Sequence, residues 1–147
     1  FGSQGKNIIF LKKNQSTKNL KAIGNIFYLQ RFLGDIRDKI FCDIRVLVSN
    51  HKPICAMERF SRNFITNAYQ GASTRKINLD KRLVELTEKV SKIFDLGYGG
   101  IDIINFENEY YVLEVNSIPS WKAIQKTEKK NISEILVNDF LHNVKKC

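Results

Sequence analysis

The sequence predicts an α+β fold in which an antiparallel β-sheet carries helices packed on one face. Two pairs of apolar, β-branched segments flank short polar turns, and each pair predicts a β-hairpin. A further segment, 79–96, carries apolar residues at helical spacing. The 147 residues, of which 43% are hydrophobic, suffice for one domain with a buried core. Because no repeat or linker divides these elements, we expect a single α+β unit.

The first part of the chain is predicted to consist mostly of strands. Residues 7–12 and 26–33 are apolar and predict two strands, with a short polar helix or loop between them. Residues 42–49 alternate in polarity and are rich in β-branched side chains, and 54–60 returns as the second arm of a hairpin. The turn of that hairpin is expected at 51–53, where histidine and lysine precede a proline.

A loop, a helix, a second hairpin and two further helices are expected in the rest of the chain. Residues 61–78 have weak periodicity and many turn-forming residues, which predicts a long loop. The helix over 79–96 should end at Gly97. After the second hairpin, 119–128 and the segment that begins at Asn131 are predicted to be helical.

The charge balance favours an anionic ligand. Lys and Arg number 24 and Asp and Glu 15, which gives a net charge of +9. Such a chain attracts polyanions, but its basic residues are scattered or merely paired, so a dedicated nucleic-acid surface is not expected. Three widely spaced cysteines argue against disulfides and structural zinc and favour reduced thiols in the cytoplasm. No apolar run approaches the roughly 20 residues of a membrane-spanning helix, so no membrane association is expected.

A group of polar residues in the second hairpin predicts a metal site. With a turn over 107–109, Asp102 lies opposite Glu114, and Asn116 projects from the same face of the sheet. Opposed carboxylates repel each other unless a cation lies between them, and carboxylate and amide oxygens are ligands that magnesium accepts. The alternative is a polar rim in which one carboxylate is protonated or turned into water.

Six segments then resemble the ATP-grasp ligases, and most closely the C-terminal half of the RimK-type α-L-glutamate ligases. GGIDI and LEVNSIPSW, which hold Asp102 and Glu114, resemble the metal end of that fold. FGSQGKNIIFL resembles its flexible glycine loop, and FYLQRFL resembles the strand and hinge that hold adenine. CDIRVLVSNHKPICAMERFS and FITNAYQG resemble its Asp-Ile-Arg strand pair and its phosphate-side loop. Two positions depart from the usual pattern: Arg31 stands where an acidic residue is common, and Ile65 where a basic one is.

The resemblance implies roles for individual residues. Asp102, Glu114 and Asn116 would hold two Mg²⁺ ions, or Mn²⁺, that bridge the phosphates of ATP. Arg45 and Arg59 would be catalytic, Arg45 beside the anionic intermediate and Arg59 beside the transferred phosphate or the acyl phosphate. From the residues alone, a surface ion pair across two strands is equally expected for these two arginines. The positions implied to contact ATP or its surroundings are Ser3, Gln4, Gly5, Gln30, Arg31, Phe32, Leu33, Asp43, Thr66 and Asn67.

The function implied by the resemblance is that of an ATP-dependent carboxylate–amine ligase. It would form an amide through an acyl phosphate, adding L-glutamate to a carboxylate acceptor, which is either a cofactor-like small molecule or a protein C-terminus. A basic anion- or nucleic-acid-binding module on a vestigial ATP-grasp fold is the alternative. Residues 1–33 would end the central ATP-binding subdomain and 34–147 would form the C-terminal subdomain. We therefore expect a fragment that is inactive by itself and whose open strand edge permits a homo-oligomer.

Overall fold

The computed structural model describes residues 8–18, 20–22, 24 and 26–145. A five-stranded sheet with the order β3-β2-β1-β4-β5 forms its centre, and every neighbouring pair is antiparallel. The strands are β1 (Phe41–Ser49), β2 (Lys52–Ser61), β3 (Ser73–Ile77), β4 (Tyr98–Phe106) and β5 (Glu109–Asn116). The helices are α1 (Lys81–Ile93), α2 (Lys122–Gln125) and α3 (Ile132–Val144), and a 3₁₀ turn spans Ala68–Gln70.

Helices cover both faces of this sheet. The α1 helix packs through Leu83 and Val90 on the face that carries Val46 and Val48 of β1. The start of α3 packs, together with α2, on the opposite face against Leu47. The α+β class and the antiparallel sheet are confirmed, whereas the expectation of helices on one face only was wrong. Because the middle of β1 is apolar on both sides, each side needs its own covering layer.

The two strands predicted before β1 are absent from the described part of the chain. Residues 8–12 and 26–33 contain no strand longer than a single bridging residue, Ile26. Phe27 and Leu29 are exposed, at 50% and 75% of their surface. A strand requires a hydrogen-bonded neighbour, and the described residues offer none to these two segments. Apolar composition alone therefore misassigned them.

The predicted loop over 61–78 contains the short edge strand β3, which the sequence analysis missed. Its sequence, STRKI, pairs with β2 and is exposed at three of its five positions. A short polar edge strand gives almost no apolar alternation from which to predict it. The helix predicted over 79–96 is confirmed in position but is shorter, because Asp80 caps it: Oδ1 of Asp80 accepts a hydrogen bond from the Leu83 amide at 2.7 Å.

Both hairpins close with two residues that have positive φ. Asn50 and His51 have φ of 53° and 61°, and Glu107 and Asn108 have φ of 51° and 62°. This is the geometry of the two-residue turns that match the twist of an antiparallel pair. The turns therefore differ from the three-residue turns expected at 51–53 and 107–109. No helix among the described residues is long and apolar enough to cross a membrane.

Candidate active site

Four charged side chains form a buried cluster on the face of the sheet opposite α1. Asp43 and Arg45 extend from β1, Arg59 from β2 and Asp102 from β4. The register places Asp43 opposite Arg59 and Arg45 opposite Asp102. Asp43, Arg59 and Asp102 are only 6%, 3% and 5% exposed. Buried charges of this kind persist only where each one is paired.

The cluster is held together by paired hydrogen bonds between carboxylates and guanidinium groups. Arg45 donates from Nε to Oδ1 of Asp102 at 2.7 Å and from Nη2 to Oδ2 at 2.6 Å. Arg59 donates to both carboxylate oxygens of Asp43, with Nε 2.6 Å from Oδ1. Nη2 of Arg59 also lies 2.9 Å from Oδ2 of Asp102 and so joins the two pairs. The arginines thus form cross-strand pairs, as one interpretation expected, but these pairs are buried rather than on the surface.

The two carboxylates of the cluster differ in pKa. Burial raises the pKa of Asp43, although the hydrogen bonds from Arg59 pull it in the other direction. Burial also opposes ionisation of Asp102, but the hydrogen bonds from Arg45 and the charge of Arg59 outweigh it and lower the pKa of that carboxyl. For Arg59, burial disfavours the cation, yet the bond to Asp43 and the charge of Asp102 raise its pKa. Asp102 and Arg59 are therefore charged at neutral pH.

The segment after β2 reaches this cluster through Thr66. The Thr66 side chain acts on the carboxyl of Asp43 and lowers its pKa, against the effect of burial. Its neighbour Asn67 caps the 3₁₀ turn, because Oδ1 of Asn67 accepts a hydrogen bond from the Tyr69 amide at 2.8 Å. The structure therefore brings Thr66 to the charged cluster and occupies the side-chain oxygen of Asn67 locally.

Glu114 lies opposite Asp102, as the sequence predicted, but for a different reason. Near the turn, Phe106 pairs with Glu109 rather than with Tyr110. The register then shifts between Asp102 and Ile103, where Leu113 is left without a partner position, and this β-bulge restores the pairing of Asp102 with Glu114. The predicted opposition of the two carboxylates is confirmed, and the predicted turn is wrong by one residue.

The chemistry of the donors suits a divalent cation. Glu114 is exposed and forms no ion pair with any described residue. Asn116 lies two residues further along the same strand, and its Oδ1 accepts a hydrogen bond from the Ile118 amide at 3.0 Å. Asp102 accepts two hydrogen bonds from Arg45, and Nη2 of Arg59 lies 2.9 Å from its Oδ2, so the carboxylate keeps acceptor capacity for a cation. Two carboxylates and one amide oxygen fit the oxygen ligation of Mg²⁺.

The predicted adenine-side residues lie apart from regular structure. Gln30 and Arg31 are exposed, and Phe32 and Leu33 are half-buried in an irregular segment. Phe32 packs its ring edge-on against Phe10 at 5.1 Å between ring centroids. The same aromatic cluster also contains Phe41 and Phe64. Ser3, Gln4 and Gly5, which belong to the predicted glycine loop, lie outside the described residues.

Neither the aromatic cluster nor the identity of the carboxylate that each arginine pairs with was predicted from the sequence. The resemblance places Asp43 among the positions around ATP, and in the structure its carboxylate accepts hydrogen bonds from Arg59. One signal was available: Asp43 and Arg45 share the parity of buried Leu47 along an apolar strand, which indicates that they face the interior. The four phenylalanines of the aromatic cluster come from distant parts of the chain, so no local pattern indicates them.

A family model and curated relatives of this chain indicate the same protein family. A family model described as the RimK-like ATP-grasp domain matches residues 1–140. The tetrahydromethanopterin:alpha-L-glutamate ligase of Methanococcus maripaludis is 30% identical over 99% of this chain and 51% of its own length. The coenzyme gamma-F420-2:alpha-L-glutamate ligase of Methanocaldococcus jannaschii is 32% identical over 88% of this chain and 47% of its own length. The chain thus spans about half the length of these curated relatives.

A solved structure shares the fold. The ATP-grasp ligase PsnB, complexed with a phosphomimetic variant of its minimal precursor, Mg and ADP, matches with a TM-score of 0.58 over 71% of this chain and 32% of that one. At 20% identity this likeness concerns the fold alone. Since the family model covers nearly the whole sequence and the sheet carries the architecture expected of it, the chain belongs to the RimK-like ATP-grasp family.

Proposed function

We propose that this chain forms the metal- and phosphate-binding part of an ATP-dependent ligase that joins L-glutamate to a carboxylate acceptor. The observation that carries the proposal is the opposition of Asp102 and Glu114 beside Asn116, on one sheet face of a RimK-like ATP-grasp chain. The relatives named above are α-L-glutamate ligases, which supports glutamate as the amine donor. The acceptor is a cofactor-like small molecule or a protein C-terminus, and the reaction takes place in the cytoplasm.

The chemistry calls for positioning and charge neutralisation rather than for a protein nucleophile. A free carboxylate is a poor acylating agent, so its oxygen first attacks the γ-phosphorus of ATP, which gives an acyl phosphate and ADP. The amine of glutamate then attacks the acyl carbon, inorganic phosphate leaves, and the amine loses a proton as the amide forms. Each step concentrates negative charge on phosphate oxygens, which fixed cations stabilise.

The residues of the site divide this work. Asp102, Glu114 and Asn116 would hold two Mg²⁺ ions, or Mn²⁺ in their place, and the bound ions would supply positive charge to the phosphates of ATP. Arg45, whose side chain is 15% exposed, meets the anionic intermediate. The Arg59 side chain is only 4% exposed and bonded to two carboxylates, which supports a role in fixing Asp102 rather than direct contact with phosphate.

The nucleotide-side residues complete the proposal. Thr66 and Asn67 approach the phosphates from the segment after β2, and the Thr66 side chain also acts on the carboxyl of Asp43. The backbone at 30–33 contacts adenine, and the glycine loop with Ser3, Gln4 and Gly5 closes over the phosphates. Residues 1–33 belong to the central ATP-binding subdomain in this proposal, and 34–147 to the C-terminal one.

Metal binding is tested on this chain with Mn²⁺ as the probe. Electron paramagnetic resonance titrations with Mn²⁺ and ATP should give a Kd that rises about 10- to 100-fold or more for Glu114→Gln and for Asp102→Asn, because each variant loses an anionic ligand. Glu107→Gln is the matched control, since it removes the same charge at the turn of the same hairpin. Equal Mn²⁺ affinity in Glu114→Gln and Glu107→Gln would contradict the metal site.

The ligase reaction is tested separately by the release of ADP and phosphate. L-glutamate and candidate acceptors are supplied to this chain and to a form extended to the full length of its relatives. We expect turnover from the extended form and negligible turnover from the 147-residue chain. Asp102→Asn should abolish turnover in the extended form while its circular dichroism spectrum is unchanged. Normal turnover in that variant would refute the assignment of Asp102.

A further inference from the structure

The last helix, α3, is apolar on two sides. Its inner side packs on the sheet, where Ile132 is only 1% exposed and Leu136 contacts the core cluster that contains Leu47. An outer stripe of apolar side chains runs along the other side, and its four members are exposed at 54%, 67%, 48% and 56% of their surface: Val137, Phe140, Leu141 and Val144. Because a surface helix normally has one apolar face, this outer stripe is typical of an interaction surface.

The outer stripe has the geometry of a helix that packs against another helix. Its residues follow the spacing i, i+3, i+4 and i+7, which places them in one row over two turns. The stripe is also symmetric about the point between Phe140 and Leu141, because Val137 at one end matches Val144 at the other. A row that is the same in both directions complements itself when a second copy lies antiparallel to it.

Charged side chains border the stripe in the arrangement that an antiparallel pair requires. Glu134 lies in the first turn of α3 and Lys145 caps its end, about three turns away and so on the same flank of the stripe. Both are exposed, and neither forms an ion pair with any described residue. In an antiparallel pair centred between Phe140 and Leu141, Glu134 of one copy and Lys145 of the other lie about 3 Å apart along the helix axis. The two long side chains can therefore form an ion pair on each side of the centre.

The apolar area of the stripe suits a transient dimer. Its four side chains present an exposed patch of roughly 400 Å², within the range of the largest patch on a typical monomer. Two such patches bury roughly 800 Å² between them, and the bordering polar side chains add to this area. The total lies near the lower limit of specific interfaces, about 1,000–1,200 Å², where complexes are weak and reversible.

We propose that α3 is the self-association surface of this protein, and that its outer stripe packs antiparallel against the same stripe of a second copy. Phe140 of each copy then lies against Leu141 of the other at the two-fold axis, and Glu134 pairs with Lys145 of the other copy at both ends. The exposed edges of the sheet fit self-association less well, because β3 is short and polar and β5 carries a bulge. This inference is independent of the proposed ligase function.

Sedimentation velocity over a range of concentrations measures this association on the 147-residue chain. We expect a monomer–dimer equilibrium with a Kd of about 10–100 µM. Phe140→Glu should raise that Kd at least about 100-fold, because one substitution places two charges at the centre of a two-fold interface. Phe94→Glu is the matched control, since Phe94 is 60% exposed at the end of α1 on the other face of the sheet, and it should leave the Kd unchanged.

Reversing the bordering charges tests the antiparallel orientation. Lys145→Glu alone and Glu134→Lys alone should each raise the Kd about tenfold, because each variant creates two like-charge pairs in its dimer. An equimolar mixture of these two variants should restore the parent affinity, since every pair in the mixed dimer is again of opposite charge. Circular dichroism of each variant checks that the helix is retained.

Four results would overturn the inference. These are a monomer up to about 1 mM, equal weakening by Phe140→Glu and Phe94→Glu, a mixture of the two charge variants that associates no better than either alone, and a monomeric form extended to the full length of the relatives. The last result would mean that another part of the chain covers the stripe. None of these variants alters a proposed metal ligand, so Phe140→Glu should keep the parent Kd for Mn²⁺, and the two proposals can fail separately.

Discussion

Replacing Arg59 with methionine should reduce the free energy of unfolding by about 3–5 kcal/mol, which is the usual cost of breaking a buried ion pair. Arg59 is 3% exposed and neutralises Asp43 and Asp102 together. Methionine fills a similar volume without the charge, so the loss reports on electrostatics more than on packing. The chain would then bury two carboxylates with one guanidinium remaining, that of Arg45.

Most of the lost free energy of unfolding should come from the charge of Asp43, which would stay buried without a partner. Asp102 keeps both hydrogen bonds from Arg45 when Arg59 is removed, whereas Asp43 loses both of its hydrogen bonds from Arg59. Adding Asp43→Asn to the Arg59→Met variant removes the stranded charge, so the double variant should be more stable than the sum of the two single losses predicts. The coupling between sites in direct contact is about 0.5–3 kcal/mol.

The loss should also depend on pH. Burial already raises the pKa of Asp43, and without Arg59 that pKa rises further. Between the ordinary value of about 3.9 and the raised value, the folded state binds more protons than the unfolded state, so stability falls as pH rises through this window. The deficit of Arg59→Met relative to the parent chain should therefore shrink on acidification from pH 7 towards about pH 4.

Urea denaturation followed by circular dichroism at several pH values measures both effects. Arg75→Met is the matched control, because Arg75 also pairs across the sheet, with Glu58, but its side chain is 66% exposed. That control should cost less than about 1 kcal/mol. A similar loss in both variants, or an Arg59→Met deficit that is independent of pH, would refute the view that Asp43 depends on Arg59 for its charge.

Two further substitutions test the hairpin that carries the proposed metal ligands, again by urea denaturation. Gly100→Ala should destabilise the chain by about 1–3 kcal/mol, because its Cβ would lie 2.9 Å from Cβ of Pro119. Gly97→Ala is the control, since a Cβ there has open space, and it should cost clearly less. Equal losses in the two variants would contradict the close approach of Pro119 to Gly100. Asn108→Gly should stabilise the chain by about 0.5–1 kcal/mol, since φ at Asn108 is 62° and glycine adopts that conformation without steric cost. A loss of stability in this variant would argue against the two-residue turn.

Local sequence patterns were enough to predict those elements whose own residues show a clear periodicity and cap. The α1 helix has an apolar stripe and a capping aspartate, so its position could be predicted to within a few residues. The segments 7–12 and 26–33 are as apolar as true strands, but strand formation depends on a neighbour that composition does not reveal. The edge strand β3 is the opposite case, because pairing with β2 makes a polar segment extended.

The pairing within the charged cluster could not be predicted by considering its residues one at a time. Asp43, Arg45 and Arg59 were each singled out, but their mutual pairing depends on the register between β1 and β2 and on the contact of β1 with β4. Once that register is known, alternating charges along one face follow from the two-residue period of the strands. The sequence therefore predicts which side chains matter, and the sheet determines which of them neutralise one another.

The β-bulge at Leu113 is the feature that assembles the candidate metal site. The two-residue turn sets a register in which Asp102 would face Leu113, and Glu114 would project towards α1 with the core residues. One extra residue in β5 reverses this, because a one-residue shift in a strand exchanges its two faces. Glu114 and Asn116 thereby join Asp102 on the face that carries Arg45. The position of the bulge, rather than that of the turn, determines which carboxylates meet.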